Sequence, residues 1–327
     1  MQIKPPKLLL KLLISSALTA LLVKDLSKET SVEGLISIIS NTDANSVYIF
    51  CLLSLTSLLL RSYRYFYALS ISSAKKLDFT RILAITSVRN LSVDLIPARI
   101  GELSYFFLLN LYGISLANSS AVFVVCFVLD FLVLAILGLL VLSVSTEMLS
   151  IFWLLLTILF SASYLLIKLP QILSFLETRF QKLSALKTVL NSQDLVKLQS
   201  LNFLTMLSLL TIALRLAKYS SLFFLLRGVL KGANYDLSKF HPLDCTIAFV
   251  LAEASASLPA SGIMGFGAYE KAWTAVMNAG NLTSVIFSVH IITQLVTYFL
   301  SGLCCLLFMF NEDKATVQVL PQSRRNY

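Results

Sequence analysis

The chain has 327 residues, is 57% hydrophobic and only 13% charged, and has a mean hydropathy of +0.83, which is far too apolar for a soluble globular domain. Its net charge of +9 sits mostly in short loops between apolar runs. There it orients a membrane protein and attracts anionic lipid heads, which argues against a nucleic-acid partner. No stretch is long and polar enough for a separate soluble domain, the longest being about 30 residues.

In chain order, the N-terminus "MQIKPPKLLLKLLISSALTALLVKD" places basic residues before a short apolar run, as a secretory signal does. With no clear small-x-small cleavage site before a soluble domain, it reads as a retained first span. The apolar runs give six candidate spans: Leu8–Val23, Ser46–Leu60, Ala121–Ser143, Leu149–Ile167, Phe203–Leu226 and Val285–Phe310. Two further apolar regions are interrupted. The first, Ile82 to Tyr112, contains Arg89, Asp94, Pro97, Arg99, Gly101 and Glu102. The second, Cys245 to Met277, contains Glu253, Pro259, Gly262, Gly265, Gly267 and Glu270.

Loop charges orient these segments. Lys4, Lys7 and Lys11 place the N-terminus in the cytoplasm, and Arg61, Arg64, Lys75, Lys76 and Arg81 mark a second cytoplasmic loop. Lys168, Arg179, Lys182, Lys187 and Lys197 mark a third, and Lys314, Arg324 and Arg325 place the C-terminus inside. All the basic loops face the cytoplasm if each interrupted region returns to the side it came from. The expected fold is therefore an all-α polytopic membrane protein in one domain, residues 1–327. It has about six full transmembrane helices and two broken, re-entrant helical hairpins, eight membrane-embedded segments in all. The half-repeats, about 1–148 and 149–327, each hold two spans, a hairpin and a span in opposite orientation, an inverted repeat. Between them, Leu173, Leu176, Phe180, Leu183, Leu186 and Leu190 recur at helical spacing among basic residues, which predicts a helix on the cytoplasmic surface.

The breaks carry the candidate chemistry. Pro97 lacks an amide hydrogen, and Gly101 permits backbone conformations that other residues resist. Together they open the first helix, which hydrocarbon tolerates only where the segment is buried in protein or lines a wet cavity. Arg99 and Glu102, three apart, either lock the hairpin by pairing with each other or contact a lipid head group. In the second break, Pro259, Gly262, Gly265 and Gly267 shape a tight turn ahead of Glu270. Glu253 and Glu270 are candidate proton or cation sites, or partners for buried arginine. Arg215 and Lys218 share one face of an apolar helix. Each is costly to insert alone, by about 2.5–3.5 kcal/mol, so they need carboxylates or a phosphate. Glu102, Glu253, Glu270 and a lipid phosphate are the candidates. Arg89, Asp94 and Asp130 are supporting charges at depth, with Asp130 either a packed partner of a basic residue or a substrate contact.

Cys51, Cys126, Cys245, Cys304 and Cys305 read as small apolar packing residues. His241 and His290 are far apart and lack ligand spacing, so neither a metal nor a cofactor is expected. No nucleophilic constellation is visible, which argues against an enzyme.

At "PARIGE" (97–102) and "LPASGIMGFGAYE" (258–270) the chain resembles the transmembrane region of lysylphosphatidylglycerol synthase, a flippase-like integral membrane family. The resemblance covers most of the chain in order and spacing. Where family members often carry a charged pair before an aspartate, this chain has Cys126 and Phe127, while Asp130 matches. Tyr269 stands where an arginine often precedes the last glutamate. The resemblance implies translocation of an anionic, modified or glycosylated lipid across the cytoplasmic (inner) membrane of a prokaryote, with membrane lipids as partners. The alternative expectation is a non-catalytic membrane partner of a lipid-modifying or glycosyl-transferring enzyme, and a third is an enzyme acting on lipid phosphates.

Overall fold

A computed structural model describes residues 19–21, 24, 31–73, 75–95, 101–146, 200–256, 263–278 and 282–318. Every regular element among them is helical. Helix α1 spans Val32–Ser40, α2 Ala44–Ser72, α3 Phe79–Leu95, α4 Leu103–Leu111 and α5 Leu116–Thr146. Helix α6 spans Leu201–Gly232, α7 Pro242–Ala256, α8 Ala268–Val276 and α9 Thr283–Gln318, with single 3-10 turns at Leu237–Lys239 and Ile263–Gly265.

Local chemistry sets the helix ends. Ser31 caps α1 by accepting the Gly34 amide, and Asp43 caps α2 by accepting the Ser46 amide, each satisfying an orphan donor of the first turn. α4 ends at Gly113 in the left-handed region, and α6 and α8 run out through left-handed Asn234 and Asn278. Asparagine is the residue after glycine best suited to that position.

Four helices are long and apolar enough to cross a membrane: Ala44–Ser72, Leu116–Ile136, Asn202–Gly232 and Thr283–Leu306. These correspond to four of the expected spans, and the protein is an all-α polytopic membrane protein. The expected span Leu149–Ile167, most of Leu8–Val23 and the amphipathic stretch between the halves lie outside the described residues. Large apolar side chains such as Phe131, Leu295 and Phe299 face outward, as they do where lipid is the solvent.

One boundary needs correction. The second span does not stop at Leu60, and Arg61 and Arg64 are not loop residues. α2 runs on to Ser72, and the basic loop begins beyond it with Lys75 and Lys76. The helix carries both arginines through apolar surroundings because each finds a partner there: Arg64 meets Asp130, and Arg61 donates to Asn90.

Each interrupted region holds two helices, α3 and α4 in the first and α7 and α8 in the second. α3 and α4 flank the first break and pack on each other, as do α7 and α8 around the second. Element order repeats: a long helix of 29 residues, then 17, 9 and 31, followed by 32, 15, 9 and 36. Each set builds its own apolar core. One joins Tyr65, Ile82, Tyr105, Leu109 and Val122 to Phe203 and Leu207, the other joins Leu226, Phe249, Trp273 and Val289 to Phe50. α2 and α6 contribute to both cores. They approach closely where Gly228 faces Ser46, and just beyond, Gly232 faces the Asn41 carbonyl at the end of α1.

Candidate functional site

Four helices bring charge to one place. On α6, Thr211, Arg215, Lys218 and Tyr219 are spaced four, three and one apart, so they share a face. Arg64 comes from α2, Asp130 from α5 and Glu253 from α7. Arg64 donates from both terminal nitrogens to the two oxygens of Asp130, each at 2.9 Å, and from Nη1 to Thr211 Oγ1 at 3.1 Å. Thr211 accepts because its own hydroxyl is donated to the Leu207 carbonyl at 2.7 Å.

Arg215 continues the series. Its Nη2 lies 3.2 Å from Asp130 Oδ1, and its Nη1 donates to Glu253 Oε1 at 3.2 Å. Lys218 Nζ sits 2.7 Å from the same Glu253 oxygen, and Tyr219 donates its hydroxyl to Oε2 at 3.0 Å. The result is an unbroken ladder, Arg64–Asp130–Arg215–Glu253–Lys218, that crosses from the first set of helices to the second. Lone charges at depth are expensive, and alternating signs in hydrogen-bonding geometry offset that cost. The arginines are nearly sealed, with side chains 1% and 7% exposed, while Asp130, Glu253 and Lys218 are 23–28% exposed. One flank of the ladder is therefore open.

A second pair lies beside it at the first break. Arg89 Nη2 is 3.5 Å from Glu102 Oε1. The Arg89 guanidinium also sits over the rings of Tyr65 and Phe123, 5.9 and 5.6 Å from their centroids, a favourable place for a cation. Arg61 reaches this region from α2 and donates to Asn90 Oδ1 of α3 at 3.0 Å, and Asp94 lies on the same helix as Asn90.

The expected partnerships resolve individually. Glu253 serves both Arg215 and Lys218, and Asp130 is the packed partner of two arginines. Glu102 meets Arg89. Glu270 lies elsewhere, fully buried against His290 Nδ1 at 2.6 Å, with its other oxygen accepting the Gly267 amide at 2.7 Å. Arg99, Pro97, Pro259 and Gly262 lie outside the described residues.

The glycines differ in what they do. Gly265 and Gly267 adopt φ of +81° and +100°, so the second break does need residues tolerant of that region. Gly101 is not in the left-handed region, which corrects the expectation of a permissive backbone. A Cβ there would overlap the Ser92 carbonyl, so Gly101 is required for close approach of the two arms.

Sequence reasoning missed Arg64, Thr211, Tyr219, His290 and Gln294. Thr211 and Tyr219 were detectable, since both lie four residues from Arg215 on the same face.

The family described as Lysylphosphatidylglycerol synthase TM region matches residues 8–305, and the chain belongs to that family. No curated protein matches the chain.

Proposed function

We propose that this member of the family is a lipid translocator that moves a lipid with an anionic, modified or glycosylated head group across the cytoplasmic membrane. The observation that carries this reading is the open-flanked charge ladder linking the two sets of helices. Among the described residues, the ion pairs of this region join four basic side chains (Arg64, Arg89, Arg215 and Lys218) to three acidic ones (Glu102, Asp130 and Glu253). That leaves one positive charge over, which a single lipid phosphate matches.

In this reading Lys218 and Arg215 receive the phosphate, and Glu253 holds them in place until it arrives. Arg99 and Glu102 extend the path at the first break, and Glu270 braces the second. The acyl tails stay in the bilayer. The repeated element order fits two broken repeats that meet at a transport site, and the loop charges carry the reading of six full spans and two re-entrant hairpins in an inverted repeat with both termini cytoplasmic. The family's name carries a phosphoglycerolipid, which fits a phosphate-reading ladder.

Mass spectrometry of lipids retained through mild-detergent purification tests the reading. The wild type is expected to retain one enriched anionic lipid that Lys218→Gln and Arg99→Ala lose. Only bulk lipid in all three proteins, with a stoichiometric enzyme recovered alongside, would make the chain a membrane partner of that enzyme instead.

A further inference from the structure

Glu270, His290 and Gln294 form a group separate from the ladder. α8 supplies Glu270, and α9 supplies His290 and Gln294 one turn apart. Glu270 Oε1 and His290 Nδ1 are 2.6 Å apart, and His290 Nε2 and Gln294 Nε2 are 3.2 Å apart. Gln294 Oε1 is buried without a hydrogen-bond partner among the described residues. Phe266 and Tyr269, from the turn and the first residues of α8, flank the imidazole with ring centroids 4.3 and 4.5 Å away.

Glu270 accepts the Gly267 amide at Oε2 and faces His290 Nδ1 with Oε1, so an ionised carboxylate there takes Nδ1–H. Nε2 then accepts from the Gln294 amide nitrogen, which describes a neutral imidazole. A half-turn of the Gln294 amide reverses the second bond. The unused Oε1 then accepts an Nε2–H while Nδ1–H stays on Glu270, which describes the imidazolium. The same heavy-atom framework thus serves two states that differ by one proton, with the Gln294 amide donating to the neutral ring and accepting from the charged one.

The surroundings suit a cation. α8 presents the Glu270 carboxylate and the Tyr269 phenol. Of the other elements packed on α9, α3 carries Asp94, α2 carries Arg61 and α6 carries Lys218. Glu253 of α7 is held by Arg215, Lys218 and Tyr219, and the one charge on α1, Glu33, is exposed. Two aromatic faces add cation–π attraction once the ring is charged.

We propose that Glu270, His290 and Gln294 form a proton-binding site whose occupancy sets how tightly the glycine-rich second break holds to α9. A proton from water adds to the Nε2 lone pair, and the Gln294 amide turns to accept it. Glu270 and both aromatic rings then grip the imidazolium more strongly than the neutral ring. All three belong to the turn after Gly265 or the first turn of α8, so proton uptake tightens that turn and proton loss releases it. As the energy-coupling site of a translocator it rests on the lipid-movement reading, but as a proton-binding site it stands alone.

The chain has two histidines, so His241→Gln leaves His290 as the sole imidazole. Its side-chain nitrogens, labelled with nitrogen-15 in lipid nanodiscs, are followed by NMR over about pH 5 to 9. The expected result is an Nδ1–H neutral ring that converts to imidazolium on acidification. Gln294→Leu, which has no acceptor, is expected to move the midpoint down by about one pH unit or more. Amide exchange over residues 263–271, corrected for intrinsic rate, is expected to slow in the protonated form. A ring that keeps one protonation state, a midpoint unmoved by Gln294→Leu, or exchange indifferent to protonation would each overturn the proposal. Titration as expected without any lipid movement would keep the site and remove the translocator reading. Lipid movement at one rate across this pH range, with His290 untitrated, would remove the site alone.

Discussion

Arg64 and Asp130, 66 residues apart, join through two hydrogen bonds of 2.9 Å in a fork-to-fork pair. The pair fixes the depth of α2 against α5, because a planar guanidinium and a carboxylate match in few relative positions. Asp130 also holds Arg215, so a single carboxylate serves two nearly sealed arginines. Asp130→Asn is therefore expected to destabilise the protein by about 3–5 kcal/mol, the cost of stranding buried charge. Arg64→Met combined with Asp130→Leu is expected to lose much less than the sum of the single changes. Chemical unfolding in detergent measures the cycle, and additive losses would contradict the pairing.

Glycine substitutions separate close approach from backbone strain. Gly101→Ala drives a methyl into the Ser92 carbonyl and is expected to cost about 1–3 kcal/mol or more. Gly265→Ala combines φ of +81° with a Cβ 3.0 Å from the Ala256 Cβ, and a loss of about 1–2 kcal/mol is expected. Gly302→Ala meets nothing within 4 Å and is expected to be neutral or slightly stabilising. Thermal melting of the three variants orders them, and an unstable Gly302→Ala would contradict the packing described.

Asp43 gives an acid-sensitive helix start. Lys231 Nζ at 2.7 Å, then the Ser46 hydroxyl and amide, hold its carboxyl down at about 2 from an ordinary value of 3.8. A depressed carboxyl stabilises the fold above its unfolded value and loses that contribution as pH falls through the folded one. Amide exchange in the first turn of α2, corrected for intrinsic rate, is therefore expected to accelerate between about pH 4 and pH 2 in the wild type. Asp43→Asn is expected to flatten that dependence, and an unchanged profile would show that the cap does not titrate.

Much of this was legible in the sequence. Pro97 and Gly101, and the glycines around Met264, mark both breaks, because the residues that interrupt a helix are local features. The need of Arg215 and Lys218 for a carboxylate was legible from their shared face and the cost of burying them. Arg64 was not, because a charge at the end of an apolar run reads as the membrane boundary, and only its pairing with Asp130 from another helix carries α2 past it. The same holds for His290, whose neighbours in sequence are apolar and whose partner lies 20 residues earlier on a different helix. Gly101 was recognised as necessary for a different reason from the actual one, since close approach of two arms is a tertiary fact.

The most direct test of the ladder as a lipid path is translocation of a labelled phosphatidylglycerol in vesicles reconstituted with the purified protein. Lys218 is the exposed end of the ladder and its loss removes one charged hydrogen bond to a phosphate. The account predicts that the wild type moves this lipid well above the protein-free rate, and that Lys218→Gln slows it by about ten-fold or more with the fold intact. Wild-type protein that moves the lipid no faster than empty vesicles, or a Lys218→Gln variant as fast as wild type, would contradict it.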